Sequence, residues 1–199
     1  MEKYKELIVA AAIEKDWNKV RELVPEMADL WTIGEGKANA GEHTQKVLEN
    51  LLDDPEYPEL SEILIFAATL HDIGKIVTQA VHPDGHLSFH GHESHGAEAV
   101  RVILPNLGFS SSLSDQVAEL VALHMWPLNT SATEVGDKAI RRLCRRLGDN
   151  VELVFRLAKA DLLAHEESPR RERELANLPH LWARVKEIWQ HEYASADAA

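Results

Sequence analysis

Apolar residues recur at spacings of three and four along most of the chain, which is the period of an amphipathic helix. Alternating runs typical of strands are weak. Glycine and proline interrupt the helical period at residues 33–39 and 78–91, where we expect loops. The fold class is therefore predicted to be all-α, a compact multi-helix bundle. The predicted helices cover residues 2–24, 26–30, 40–53, 60–72, 92–104, 114–124, 134–147, 150–165 and 178–191.

Local signals refine these helices. The helix over residues 60–72 is apolar almost all round from Ile63 to Leu70, so we predict that it lies at the centre of the bundle and ends before Gly74. Ser114 is the predicted N-cap of the helix over residues 114–124. The mixed basic and acidic residues 170–174 are predicted to lie in a solvated loop.

Composition narrows the class of protein. The chain has 199 residues, 45% hydrophobic and 27% charged, which fits one domain over residues 1–199. No apolar run approaches the roughly 20 residues that span a bilayer, and the first residues lack a signal-peptide pattern. The net charge of −12 disfavours long nucleic acid and acidic membranes as partners. With one cysteine, Cys144, we expect no intramolecular disulfide and a cytoplasmic setting.

Histidine is frequent, at 11 residues, and several predicted helices place a histidine or an aspartate on their apolar side. A lone inward histidine is usually a hydrogen-bonded core residue, and an isolated buried carboxylate costs several kcal/mol. Five helices each bring such a group inward, and all of these groups gain a partner together if they converge on cations. The candidate ligands are His43, His71, Asp72, His92, His124 and Asp161.

Imidazole and carboxylate ligands without thiolate suit a divalent ion. Manganese, iron, cobalt, nickel, zinc and magnesium all stay open, as do one ion and two. The remaining histidines His82, His90 and His95 are expected in loops or at the surface.

The order and surroundings of the candidate ligands resemble the HD superfamily of metal-dependent phosphohydrolases. Residues 69–75, Thr-Leu-His-Asp-Ile-Gly-Lys, resemble its core motif, and Gly-His-Glu at 91–93 with Gly-Ala at 96–97 resembles the second. Residues 121–124 and 160–161 resemble the third and fourth motifs. The resemblance implies a bundle of the HD-domain type, with a core over about 25–166 on which the terminal helices pack.

Within that superfamily, the chain is most similar to the HD tail of bacterial tRNA nucleotidyltransferases, on the segments 24–30 and 41–44. It lacks the Gly-Ser loop and paired aspartates of the nucleotidyltransferase head. We therefore expect a free-standing HD domain and do not carry nucleotide addition over.

The resemblance also implies how the ligands divide between ions. His43, His71, Asp72 and Asp161 match the first metal site, while His92 and His124 match ligands of the second, with Asp72 bridging. Cyclic dinucleotide phosphodiesterases of the family have a further histidine after the position of His124. Here that residue is Met125, so the second site has fewer ligands.

The expected activity is hydrolysis of phosphate esters of nucleotides, either phosphomonoesters or cyclic phosphodiesters, by water activated at the metal. Asp72 and Lys75 are the predicted catalytic residues. The family uses the lysine equivalent to Lys75 to bind phosphate, while the alternative is a solvated lysine. Arg141, in the basic run 138–146, is a second substrate-binding candidate, and a solvated helix face is its alternative. Because the histidine ligands must be neutral, activity should fall below about pH 6.

The expected partner is a small phosphorylated substrate, a nucleotide, and a monomer and a homodimer are both compatible with the sequence. A second hypothesis is a non-catalytic metal-containing domain that binds or senses a phosphorylated ligand. A two-iron dioxygenase on the same scaffold is disfavoured by the phosphate-directed Lys75. A metal-free acid–base enzyme leaves the inward imidazoles unexplained.

Overall fold

The computed structural model describes residues 2–35 and 38–193, and helices dominate them. The all-α prediction is confirmed, because the strands are two hairpins of two residues a side: β1 (Gly34–Glu35) with β2 (Ala38–Asn39), and β3 (Ala80–Val81) with β4 (Leu87–Ser88). The α-helices are α1 (Glu2–Ile13), α2 (Trp17–Leu23), α3 (Ala40–Leu52), α4 (Glu62–Leu70), α5 (Lys75–Thr78), α6 (His92–Asn106), α7 (Ser111–Leu123), α8 (Asp137–Leu147), α9 (Val151–Ala164) and α10 (Pro169–Glu192), with 3-10 helices at Pro25–Thr32 and Gly148–Asn150.

Helix α4 is the centre of the bundle. Every residue from Leu64 to Leu70 is buried, as its all-round apolar sequence predicts. It packs against α3, α7 and α9, while α6 lies along α7 and α3 lies along α9. Helices α3, α7 and α9 around α4 carry candidate ligands, as does α6, which lies along α7, so the core positions the site.

The predicted first helix, residues 2–24, is wrong in one respect: it is two helices. Lys15 has a φ of 58°, which a continuous right-handed helix does not allow. The side chain of Asp16 then accepts a hydrogen bond from the backbone N–H of Lys19 and begins α2. An aspartate at this position satisfies a helix-start donor, which favours a new start over a continued helix.

The N-cap of α7 is Ser110 and not Ser114. The Ser110 side chain accepts from the N–H of Leu113, while the buried Ser114 hydroxyl donates to the Ser110 carbonyl. Helix α6 also continues past its predicted end and contains Pro105 in its last turn. The backbone bond that proline removes there lies at an exposed position, so the cost is small.

Helix α10 begins nine residues before the predicted start. Ser168 caps it by accepting from the N–H of Arg171, and Pro169 takes the first helical position, which suits its fixed φ. The residues predicted to form a solvated loop at 170–174 are therefore helical, and Arg170 pairs with Glu174 one turn later at 2.7 Å. No helix within the described ranges is both long and apolar enough to cross a membrane.

Candidate metal centre

The structure brings all six candidate ligands into one cluster, which we call the six-residue cluster; five of them are buried and His92 is partly buried. His43 lies in the first turn of α3, His71 and Asp72 follow α4, His92 begins α6, His124 ends α7 and Asp161 lies on α9. Five helices thus contribute side chains to one place. Their role as metal ligands stays a prediction, which the geometry below supports. The members are His43, His71, Asp72, His92, His124 and Asp161.

Asp72 is the centre of the cluster. One carboxylate oxygen, Oδ2, lies 3.3 Å from His71 Nε2 and 3.8 Å from His43 Nε2. The other oxygen, Oδ1, lies 3.5 Å from His92 Nε2. The two oxygens therefore face two different groups of imidazoles, so Asp72 would be able to hold a cation on either side.

The remaining contacts define two ligand sets that share Asp72. In the first ligand set, His43 Nε2 lies 2.9 Å from Asp161 Oδ1. In the second, His92 Nε2 lies 3.2 Å from His124 Nε2. The first set is His43, His71 and Asp72, which Asp161 joins through its contact with His43, and the second is Asp72, His92 and His124.

Backbone carbonyls fix the orientation of three imidazoles. The Nδ1 atom of His71 donates to the carbonyl of Ala68 at 2.8 Å. His92 donates in the same way to the carbonyl of Phe89, and His124 to that of Val121. A carbonyl only accepts, so each Nδ1 carries a proton and, in the neutral ring, Nε2 keeps its lone pair. This is the outer hydrogen bond that metal-ligating histidines commonly make.

The cluster has the unsatisfied polar atoms that a cation would complete. His71 Nε2 is buried and has no hydrogen-bond partner among the described residues. The facing Nε2 atoms of His92 and His124 are both acceptors in their neutral rings, so neither can donate to the other. A buried unsatisfied group costs about 1–3 kcal/mol, and a divalent ion removes that cost for several atoms at once. The residues present therefore fit a metal centre of imidazole and carboxylate ligands.

Charges in the cluster shift several pKa values. Burial alone would raise the pKa of Asp72, but the positive charges of His71 and Lys75 hold it well below its usual range. Burial lowers the pKa of His71, and the Asp72 carboxylate outweighs this and raises it to about 9. Burial, together with the charge of His71, lowers the pKa of His124 to about 4. The Asp72 carboxylate therefore favours the charged form of His71, and burial favours the neutral form of His124.

Metal binding to the apoprotein should accordingly release a proton. His71 must lose its proton to bind an ion, and below its pKa of about 9 the proton and the ion compete. Affinity for one equivalent of Zn²⁺ is expected to rise about tenfold per pH unit between pH 6 and 8, because one proton is displaced. Calorimetry in buffers of different ionisation enthalpy measures the released proton. Affinity independent of pH over this range would contradict the role of His71 as a ligand.

Lys75 lies against Asp72, inside the protein. Its Nζ is 2.8 Å from Asp72 Oδ2 and 5.3 Å from the ring centroid of Phe89, and the residue is only 5% exposed. The alternative of a solvated lysine is therefore excluded. The ammonium lies next to the ligands, where it can reach a phosphoryl group held there.

Arg141 is placed differently. Its Nε donates to both oxygens of Glu192 at 2.9 and 3.0 Å, and Tyr193 donates to its carbonyl. Among the described residues, the hydrogen bonds and ion pairs of the six-residue cluster do not include Arg141. Its predicted role in binding substrate therefore gains no support from the geometry and stays a prediction.

Sequence reasoning missed one residue at the site, His165. It follows α9 one turn after Asp161, and its Nε2 lies 3.4 Å from Asp161 Oδ1. The spacing of four residues was the available signal, because i and i+4 share a helix face. The histidines expected away from the site are exposed: His82 pairs with the Ser88 hydroxyl, and His95 lies near Glu98.

Two glycines allow the His71–Asp72 turn to touch α6. A Cβ on Gly74 would lie 2.0 Å from the carbonyl oxygen of His92 and 2.6 Å from the Gly96 nitrogen. A Cβ on Gly96 would lie 3.5 Å from the Gly74 nitrogen and from the His71 carbonyl oxygen, and 3.0 Å from Val121 on α7. The glycine after the His-Asp pair therefore sets the distance between Asp72 and His92.

Replacing Gly74 with alanine is expected to destabilise the fold by about 2–3 kcal/mol, because backbone atoms must move apart. The displacement should also weaken metal binding. Gly136→Ala is the matched control, since nothing lies within 4 Å of a Cβ there. Urea unfolding with and without metal measures both effects, and equal stabilities of the two variants would contradict the close contact.

The comparison with protein families identifies the class. The model of the HD domain matches residues 40–181, which include the whole six-residue cluster. The chain therefore belongs to the HD domain family, a superfamily of metal-dependent phosphohydrolases.

Two curated relatives have a more specific name. The chain is 34% identical over 145 residues to the CC-adding tRNA nucleotidyltransferase of Thermus thermophilus, covering 71% of this chain and 32% of the relative. It is 35% identical over 121 residues to the A-adding tRNA nucleotidyltransferase of Deinococcus radiodurans, covering 60% of this chain and 26% of the relative. The chain thus spans about a third or less of each of these proteins.

Proposed function

We propose that this HD domain hydrolyses phosphate esters of nucleotides, phosphomonoesters or cyclic phosphodiesters, with one or two divalent ions. The observation that carries the proposal is the convergence of imidazole Nε2 atoms on the two oxygens of Asp72, with the buried ammonium of Lys75 beside them. Ligands for a cation and a fixed positive charge for a phosphate thus lie within one cluster.

The first ligand set would hold one ion, and the second, with its three residues, would hold another. A divalent ion bound there supplies Lewis acidity, which lowers the pKa of a water molecule and polarises a phosphoryl oxygen. Within residues 2–35 and 38–193, the second set has three protein ligands, which would leave room for water or substrate.

Asp72 and Lys75 have different roles in this proposal. Asp72 orients the ligands on both sides and positions the attacking water through its carboxylate. Lys75 binds a non-bridging phosphoryl oxygen and stabilises the negative charge that grows there in the transition state. Lys75 now neutralises Asp72, so binding of cations to Asp72 would release the ammonium for the phosphate.

A nucleotide is the proposed substrate for two reasons. The two relatives are named for activity on tRNA, whose building blocks are nucleotides. The net charge of −12 opposes a long polyanion, whereas a small one needs a positive charge only at the site. We do not extend nucleotide addition to this chain, because the chain covers 32% of one relative and 26% of the other.

The test combines metal analysis with a substrate screen. Purified protein is analysed for bound metals and then incubated with Mn²⁺, Co²⁺, Ni²⁺, Zn²⁺ or Mg²⁺ and four substrate classes. These are phosphomonoesters, nucleoside monophosphates, 2′,3′-cyclic nucleotides and cyclic dinucleotides. Release of phosphate or opening of the cyclic ester, abolished by a chelator, is expected for at least one class of nucleotide. Bound metal without any turnover would overturn the proposal and favour a domain that senses a phosphorylated ligand.

A further inference from the structure

His165 lies at the solvent side of the first ligand set. Helix α9 ends at Ala164, and the backbone of His165 is already extended, with a ψ of 157°. The imidazole packs against the ring of His43, with the centroids 4.5 Å apart and the ring planes tilted by 34°. Its side chain is 43% exposed, whereas that of His43 is 5% exposed. His165 thus covers the cluster from outside.

Its donor atom converges with two others on one point. One possible ligand atom from each of His43, Asp161 and His165 lies within 4.8 Å of the other two. Both imidazoles approach the same carboxylate oxygen of Asp161, at 2.9 and 3.4 Å, rather than one oxygen each. An ion held by His43, Asp161 and His165 would lie at the point where these donors meet.

We infer that His165 is an additional ligand of the ion in the first ligand set, on its solvent-facing side. The inference rests on the metal centre of the proposed function but not on hydrolysis. It adds a nitrogen donor to a set that already has two imidazoles and two carboxylates. Nitrogen donors favour borderline ions such as Zn²⁺, Co²⁺ or Ni²⁺ over Mg²⁺.

The position of His165 also has a consequence for substrate entry. It is the one donor of the enlarged set that reaches solvent, and it lies on the extended residue after a helix end. It could therefore move without unwinding α9 and would leave room there for an entering phosphate. The buried donors, which are held by packed helices, have no such freedom.

The experiment measures ligands directly, with one equivalent of Co²⁺ added to the metal-free protein. X-ray absorption counts the imidazoles bound to cobalt, and competition with a chelator gives the affinity. His165→Ala is expected to lose one imidazole from the cobalt shell and to bind Co²⁺ at least about tenfold more weakly. His95→Ala, which removes another exposed histidine, should match the wild type in both measurements.

His165→Gln separates a ligand from a hydrogen-bond donor. Glutamine can still donate to Asp161 but does not restore an imidazole, so the cobalt shell should stay one imidazole short. Wild-type imidazole count and affinity in both His165 variants would overturn the inference, as would failure of the wild type to bind Co²⁺. If the imidazole counts of the wild type and the variants are as expected but the wild type hydrolyses none of the substrates, the proposed function would be overturned and the role of His165 would stand.

Discussion

Replacement of Asp72 by alanine is expected to lower kcat/KM for phosphate-ester hydrolysis by at least about 10³-fold and to abolish metal binding. The carboxylate faces both ligand sets, through Oδ2 toward His71 and through Oδ1 toward His92. Metal-ion catalysis contributes several kcal/mol, and each 1.4 kcal/mol is a factor of ten in rate. The loss should appear in kcat/KM at saturating metal and in the metal content after dialysis.

The matched control is Asp149→Ala, which removes an exposed carboxylate outside the cluster. This variant should retain the metal content and the turnover of the wild type. Circular dichroism checks that the Asp72 variant is folded, because its removal leaves the buried charge of Lys75 without its partner. A folded Asp72→Ala protein with wild-type turnover would show that the chemistry lies elsewhere.

Replacement of Lys75 by methionine is expected to lower kcat/KM by about 10²–10³-fold while the bound metal is retained. Methionine fills the buried volume next to Phe89 but removes the charge that stabilises the phosphoryl group. The loss of one such preorganised donor has an effect of this size. Metal binding should become tighter rather than weaker, because the ammonium no longer competes for Asp72 Oδ2.

Kinetics and metal content must be measured on the same preparation of the Lys75 variant. Lys186→Met, at an exposed position on α10, controls for the loss of one positive charge. Loss of metal together with activity would assign Lys75 a structural role. Unchanged kcat/KM would remove it from the proposed mechanism.

The sequence predicts much of this centre because buried polar groups need partners. Asp161 and His124 each continue an apolar helix face, so their burial can be inferred from spacing alone. That several such faces surround α4 follows from the all-round apolar stretch that only a central helix has. The motif around Asp72, together with the order of the other candidate ligands along the chain, then indicates which helices contribute.

Other features depend on contacts that spacing does not encode. Arg141 pairs with Glu192, which is 51 residues away in the chain, and no local pattern indicates that partner. The start of α7 offers several serines, and which one caps the helix depends on how α6 and α7 pack. His165 keeps the four-residue spacing from Asp161, but it follows the end of the helix and its side chain is 43% exposed, so the spacing alone does not separate a site residue from a surface one.

The central claim is that the six-residue cluster holds the metal on which hydrolysis depends. Stepwise addition of a divalent ion to the metal-free protein, with turnover of the best nucleotide substrate and bound metal measured at each step, tests it most directly. Turnover is predicted to be absent without metal and to rise with bound metal until one or two equivalents are bound. Turnover that persists without metal, or full metal loading with no turnover, would contradict the claim.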